Sequence, residues 1–144
     1  MNRYIKNAQK ILIGNRKRGY TLPTNNKLYP AQWNWDSAFI ALGYSYFNLN
    51  FALKEIKTLL DGQWKDGMIP HILFHNTKTN YYPNHTAWNC GNKIRSSGIT
   101  QPPVLASILK EIIDKNKITK IQRKEIKKFC LLYTSPSPRD RIAS

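Results

Sequence analysis

The chain has 144 residues, with 23 Lys or Arg against 8 Asp or Glu and a formal net charge of +15 at pH 7. This length suits one domain at most, the 41% apolar content is ordinary for a globular protein, and no apolar run reaches the ~20 residues a membrane-spanning helix needs. The first twenty residues lack the apolar core of a secretory signal, so a cytoplasmic location without a membrane partner is expected.

In chain order, residues 3–14 place Tyr4, Ile5, Ala8, Ile11 and Leu12 on one face at helical spacing, with Gly14 as a stop. Gly19, Pro23, Asn25, Asn26 and Pro30 mark 19–34 as loop. From Trp35 to Phe47 the chain is apolar nearly all round, with small Ala38, Ala41 and Gly43 interspersed, which predicts a helix buried on several sides. Asp36 falls in its first turn, where a carboxylate favours the positive end of the helix dipole. Residues 50–61 predict a third helix, with Phe51, Leu53, Ile56, Leu59 and Leu60 apolar and Lys54, Glu55 and Lys57 facing out. Residues 62–101 are irregular and hold Trp64, Trp88 and all three His; loops this long and aromatic usually carry function. Helix returns after the pair Pro102 and Pro103, runs to about Asp114, and resumes over about 119–129. The pattern is all-α with long aromatic loops, and no alternating strand set points to a sandwich or a parallel sheet.

The positive charge raises a nucleic-acid reading, but the basic residues are spread along the chain. Local runs occur at Arg16, Lys17 and Arg18 and through Lys110–Lys128, without an RNA- or DNA-binding motif beside them. Solvated faces and a Lys-, Asn- and Ile-rich codon bias account for them, and no nucleic-acid partner is expected. His71 and His75 are four apart, like helical metal ligands, but Pro70 precedes them and no third ligand is evident. Neither a phosphate-binding glycine loop, a nucleophile elbow nor a Cys/His cluster is present, so neither metal nor cofactor is expected.

Trp33, Trp35, Trp64 and Trp88 all fall in loops or at a helix start, alongside Tyr29, Tyr81 and Tyr82. Aromatic faces of this kind pack on the C–H faces of pyranose rings, with Asp36, His71, Asn89 and Gln101 as polar partners. The same aromatics would also serve as plugs tying loops to helices, and Asp36 as a plain first-turn residue.

The tail has a different origin. Residues 130–140, CLLYTSPSPRD, translate one reading frame of a transposase-type sequencing adaptor. Residues 130–144 are therefore expected to be an artefactual or disordered tail, leaving 1–129 with Cys90 as its one cysteine and no intrachain disulfide.

Four segments in order, GYTLP (19–23), LYPAQWNWDSAF (28–39), GQWKDGMIPH (62–71) and SGITQPP (97–103), resemble the start of the mannosylglycerate/glucosylglycerate hydrolase branch of glycoside hydrolase family 63. The resemblance covers about residues 1–115. It implies the first part, about two helical hairpins, of an (α/α)6 toroid, an incomplete domain at this length. It further implies an inverting glycosidase acting on a small α-glucoside or α-mannoside. Trp35 and Asp36 would line the subsite for the released sugar, with the carboxylate accepting sugar hydroxyls. Tyr29, Trp33, His71, Tyr81 and Gln101 match positions that shape the same pocket, Gln101 and Tyr81 as direct contacts and His71 either as a contact or as a support for its loop. Inversion needs a general acid and a general base about 6.5–9.5 Å apart. In relatives both lie beyond the last of the four segments, so no catalytic residue is assigned, and Asp66 matches a structural position. The rival readings are a basic nucleic-acid-binding helical module and a non-catalytic carbohydrate-binding domain. Oligomeric state is not legible.

Overall fold

The computed structural model describes residues 2–24, 28–91 and 93–133. The expected tail lies outside the described residues, apart from the backbone of the last helical turn at 130–133. The elements are α1 (Arg3–Asn15), β1 (Gln32–Trp33), α2 (Asn34–Ser45), α3 (Leu49–Leu60), β2 (Ile72–Phe74), α4 (His85–Trp88), β3 (Arg95–Ser96), α5 (Leu105–Lys115) and α6 (Lys120–Tyr133). The helical class expected from periodicity holds. The two loops together add a three-stranded antiparallel sheet in the order β1-β2-β3, whose strands are too short for an alternation signal.

Two antiparallel helix pairs form the frame. The turn at Tyr46–Asn48 joins α2 to α3, and Asn48 caps α3 by accepting the backbone N–H of Phe51 at 3.1 Å. A short link joins α5 to α6, where Thr119 Oγ1 accepts the N–H of Gln122 at 3.2 Å. α2 packs on α3 and α5, while α6 packs on α3 and α5. Ala38 and Ala41 are fully buried, and such small residues let the backbones of α2 and its neighbours approach closely. Tyr44, Ile56, Leu59, Leu109 and Ile112 fill the space between them, each side chain contributing about 1.5–3 kcal/mol of burial.

α3 corrects one expectation. Glu55 does not face out: it is 2% exposed and lies on the buried stripe with Ala52, Ile56 and Leu59. Residues 52, 55 and 59 follow helical spacing, so the position is on the core face whatever residue occupies it. α1 differs too. Gly14 does not stop it, since the helix runs on to Asn15, and of the predicted apolar face only Leu12 packs on the core. Tyr4, Ile5 and Ile11 are exposed.

The sheet sits against one end of the helices. Leu73 of β2 is fully buried in the main core, and a Cβ on Gly62 would collide with its side chain, so the close approach there needs glycine. Ile72 and Phe74 point to the other face and form a smaller cluster with Ala31 and Trp33. That cluster is the floor of the region where the predicted site residues lie.

Candidate functional site

The start of α2 gathers five of the seven predicted residues. A helix N-terminus leaves backbone N–H groups without intrahelical partners. Trp33, at the N-cap, makes no side-chain capping bond. The N–H of Asn34 instead donates to the carbonyl of His71 at 3.0 Å, and that of Trp35 donates to Oε1 of Gln101 at 2.8 Å. The Asp36 carboxylate accepts its own backbone N–H. Burial raises the Asp36 pKa above the usual carboxylate value, and this amide pulls it partly back.

Asp36 shares a cleft of about 350 Å³ with Pro23, Thr24, Tyr29 and Trp33. Trp33 forms its wall. The indole is 7% exposed and is gripped edge-on by Tyr29, at a ring separation of 5.3 Å, and by Tyr81 at 5.5 Å. Edge-to-face pairs of this kind are worth about 0.5–1.5 kcal/mol beyond burial and hold the ring at a fixed angle. Tyr81 reaches past Trp33 into a neighbouring cleft of about 730 Å³, lined also by Lys17, Tyr20 and Lys78. Trp35 is 41% exposed and leans on exposed Phe39 at 5.9 Å, so an aromatic surface stands open next to Asp36.

His71 holds a loop in place. Its Nδ1 is 2.8 Å from Ser97 Oγ, its backbone N–H donates to the carbonyl of Ile99 at 2.8 Å, and its ring meets Trp88 edge-on at 6.0 Å. Burial lowers its pKa, which keeps the ring neutral at pH 7. Ser97 also receives the N–H of Ile72 at 3.1 Å. The 97–103 segment is thereby strung between β2 and the start of α2. Of the predicted set, Tyr29, Trp33 and Asp36 share one cleft, Tyr81 braces it from beyond the indole, and Trp35, His71 and Gln101 meet at the helix start.

His75 does not join His71. Its Nε2 lies 2.7 Å from Gln32 Oε1, which can only accept, so Nε2 carries the proton; its ring stacks on Tyr20 at 4.1 Å. Among the described residues no group of three or more His, Cys, Asp or Glu is placed to hold a metal ion. Asp66 accepts the backbone N–H of Met68 at 3.0 Å and turns its loop. No described helix is long and apolar enough to cross a membrane.

Trp88, one of the loop aromatics, has a buried indole N–H without a hydrogen-bond partner among the described residues. The residue that sequence reasoning missed is Ser97, which holds His71 and the start of β2. A serine in a glycine-bearing loop carries no signal of its own. Only its position in a motif singles it out.

Solved structures with the same helical frame belong to glycoside hydrolases. The crystal structure of the GH63 mannosylglycerate hydrolase from Thermus thermophilus in complex with Tris superposes with a TM-score of 0.80 at 36% identity, over 89% of this chain and 31% of that one. The chain belongs to the family described as the mannosylglycerate hydrolase MGH1-like glycoside hydrolase domain, whose model matches residues 29–129. Mannosylglycerate hydrolase MGH2 of Selaginella moellendorffii is 43% identical over 111 residues, 76% of this chain and 22% of that protein. Glucosylglycerate hydrolase of Mycolicibacterium hassiacum is 42% identical over 94 residues, 60% of this chain and 21% of that protein. The chain thus spans less than a third of the length of these relatives.

Proposed function

We propose that residues 1–129 are the N-terminal part of a cytoplasmic inverting glycosidase that hydrolyses an α-mannoside or α-glucoside of the mannosylglycerate or glucosylglycerate kind. They supply part of the sugar pocket and none of the proton-transfer groups. The observation that carries this reading is Asp36: a half-buried carboxylate beside an indole wall, at a helix start whose other free N–H groups are already occupied. Such a carboxylate is left to accept hydroxyl groups from a ligand, while Trp33 and Trp35 offer apolar faces to the sugar ring. Tyr29 and Tyr81 fix the indole, and Gln101 and His71 fix the helix start. The general acid and base come from later helical hairpins of the parent enzyme, about 6.5–9.5 Å apart across the sugar. The family match ends at Phe129, which supports reading 130–144 as foreign sequence.

The test starts from source DNA, resequenced outward from the codons of residues 90–129. A long uninterrupted frame past Phe129 is expected. The full-length enzyme it encodes should hydrolyse mannosylglycerate or glucosylglycerate and release the β-anomer first, as seen by NMR. A stop codon after Ser144 in source DNA would overturn the fragment reading, and first release of the α-anomer would overturn inversion.

A further inference from the structure

Behind the pocket lies a buried polar cluster that binding chemistry does not explain. Glu55 Oε1 accepts the Oγ–H of Ser37 at 2.7 Å and the Nε2–H of Gln32 at 3.1 Å, and Thr21 adds its hydroxyl and backbone N–H. Gln32, Ser37 and Thr21 are each 1% exposed or less. The far side of Gln32 is held by His75, and Thr21 continues to the Tyr44 hydroxyl at 3.0 Å, which donates to the Leu12 carbonyl at 2.9 Å. Five elements or their flanks (α1, β1, α2, α3 and β2) therefore meet around one carboxyl group.

Burying a carboxyl group costs several kcal/mol unless donors surround it, and a leucine would fill the same space without that cost. What a leucine would not do is hold two neighbours in register. Gln32 and Trp33 are successive residues of β1, so their side chains leave opposite faces of the strand. Ser37 follows Asp36 directly in the first turns of α2. We propose that Glu55 is a positioning residue for the pocket: by tying Gln32 and Ser37 to the buried face of α3, it sets the spacing between the Trp33 wall and the Asp36 carboxylate. Glu55 touches no sugar itself. It acts one residue behind each group that does. This rests on the reading of Trp33 and Asp36 as sugar-binding groups.

The test uses the full-length enzyme and steady-state kinetics on mannosylglycerate and glucosylglycerate, with thermal melts alongside. Glu55→Leu removes the acceptor from both neighbours and should raise KM at least tenfold while kcat of the folded enzyme changes less than threefold. Glu55→Gln keeps one acceptor oxygen and should recover most of that loss. Ser37→Ala cuts one of the two ties with little change in volume and should raise KM about threefold. A merely structural Glu55 would lower the folded fraction, and hence apparent kcat, without moving KM. If Glu55→Leu does not fold, Ser37→Ala decides alone. KM values within twofold of wild type in the folded variants overturn the proposal while leaving the functional reading intact. An inactive wild-type full-length enzyme would bring down the functional reading, and this one with it.

Discussion

The side-chain oxygen of Gln101 accepts the backbone N–H of Trp35 at 2.8 Å, joining residues 66 apart in sequence. A helix usually finds such a cap in its own N-cap residue, but here that residue is Trp33, which is committed to the aromatic wall. The cap is supplied from a distant loop, so anything that displaces the 97–103 loop also loosens the turn that presents Asp36.

Gln101→Ala in the full-length enzyme should therefore cost about 1 kcal/mol of stability, the usual value of a lost N-cap, together with a rise in KM. Gln101→Glu keeps an acceptor oxygen and places negative charge at the positive helix end, so its stability should match wild type. Chemical denaturation of the two variants checks the pair; equal losses in both would show that the contact does not act as a cap.

Asp36→Ala tests the pocket itself. As a first-turn residue alone Asp36 is worth up to about 1 kcal/mol of stability. As the charged partner of a buried sugar hydroxyl it should be worth roughly 2–4 kcal/mol in kcat/KM, a loss of about 30- to 1000-fold in the full-length enzyme. A loss below threefold would reduce Asp36 to a helix-start residue.

Helices were legible wherever an apolar stripe recurred, which is why α2, α3 and α5 lie within a few residues of expectation. Asp36 and Gln101 were legible as polar partners for a sugar beside the loop aromatics, and motif resemblance is what set them and Trp33 in one pocket; without it the aromatics stay open to being loop plugs, and Trp33 is both wall and plug. The strands were hidden because two or three residues cannot show alternation. The charge of Glu55 predicts an outward face although its place in the 52–55–59 stripe is on the core side, and the donors that make a buried carboxyl tolerable come from Thr21, Gln32 and Ser37, far off in sequence.

Glu55 also makes stability depend on pH. Burial raises its pKa to about 7 against the pull of its Ser37, Thr21 and Gln32 hydrogen bonds. Its folded-state pKa lies above the unfolded value, so the folded protein binds the proton more tightly and loses stability as pH rises from about 4.5 to about 7. The whole change is at most about 3 kcal/mol. His75 works the other way: burial lowers its pKa to about 4, with Asp61 opposing, so its contribution is present above pH 6.5 and is lost as pH falls through 4. Between pH 4.5 and 6.5 the two slopes oppose each other. Tyr20 and Tyr44, facing the same cluster, have pKa values raised by burial and stay neutral throughout. Relative to wild type, Glu55→Gln should gain stability steadily from pH 4.5 to 7.5. A wild-type-minus-variant difference that stays flat with pH would rule out titration of Glu55 in this range.

The 144-residue chain on its own should fold poorly. Tyr4, Ile5, Ile11, Phe39 and Tyr46 are exposed, and α1 buries none of its residues. Apolar surface this extensive on helices built to pack against further hairpins favours self-association, because each contact removes about 25 cal/mol per Å² of apolar area from water. The net charge of +15 opposes aggregation at low salt, and screening removes that protection as ionic strength rises. The expected behaviour is strong binding of a hydrophobic dye, a broad or absent thermal transition, and light scattering that grows with salt. On the proposed reading, in which the acid and base belong to later hairpins of the parent enzyme, no glycoside should be hydrolysed by this chain. A sharp two-state melt from a monodisperse monomer would contradict the first expectation, and measurable hydrolysis the second.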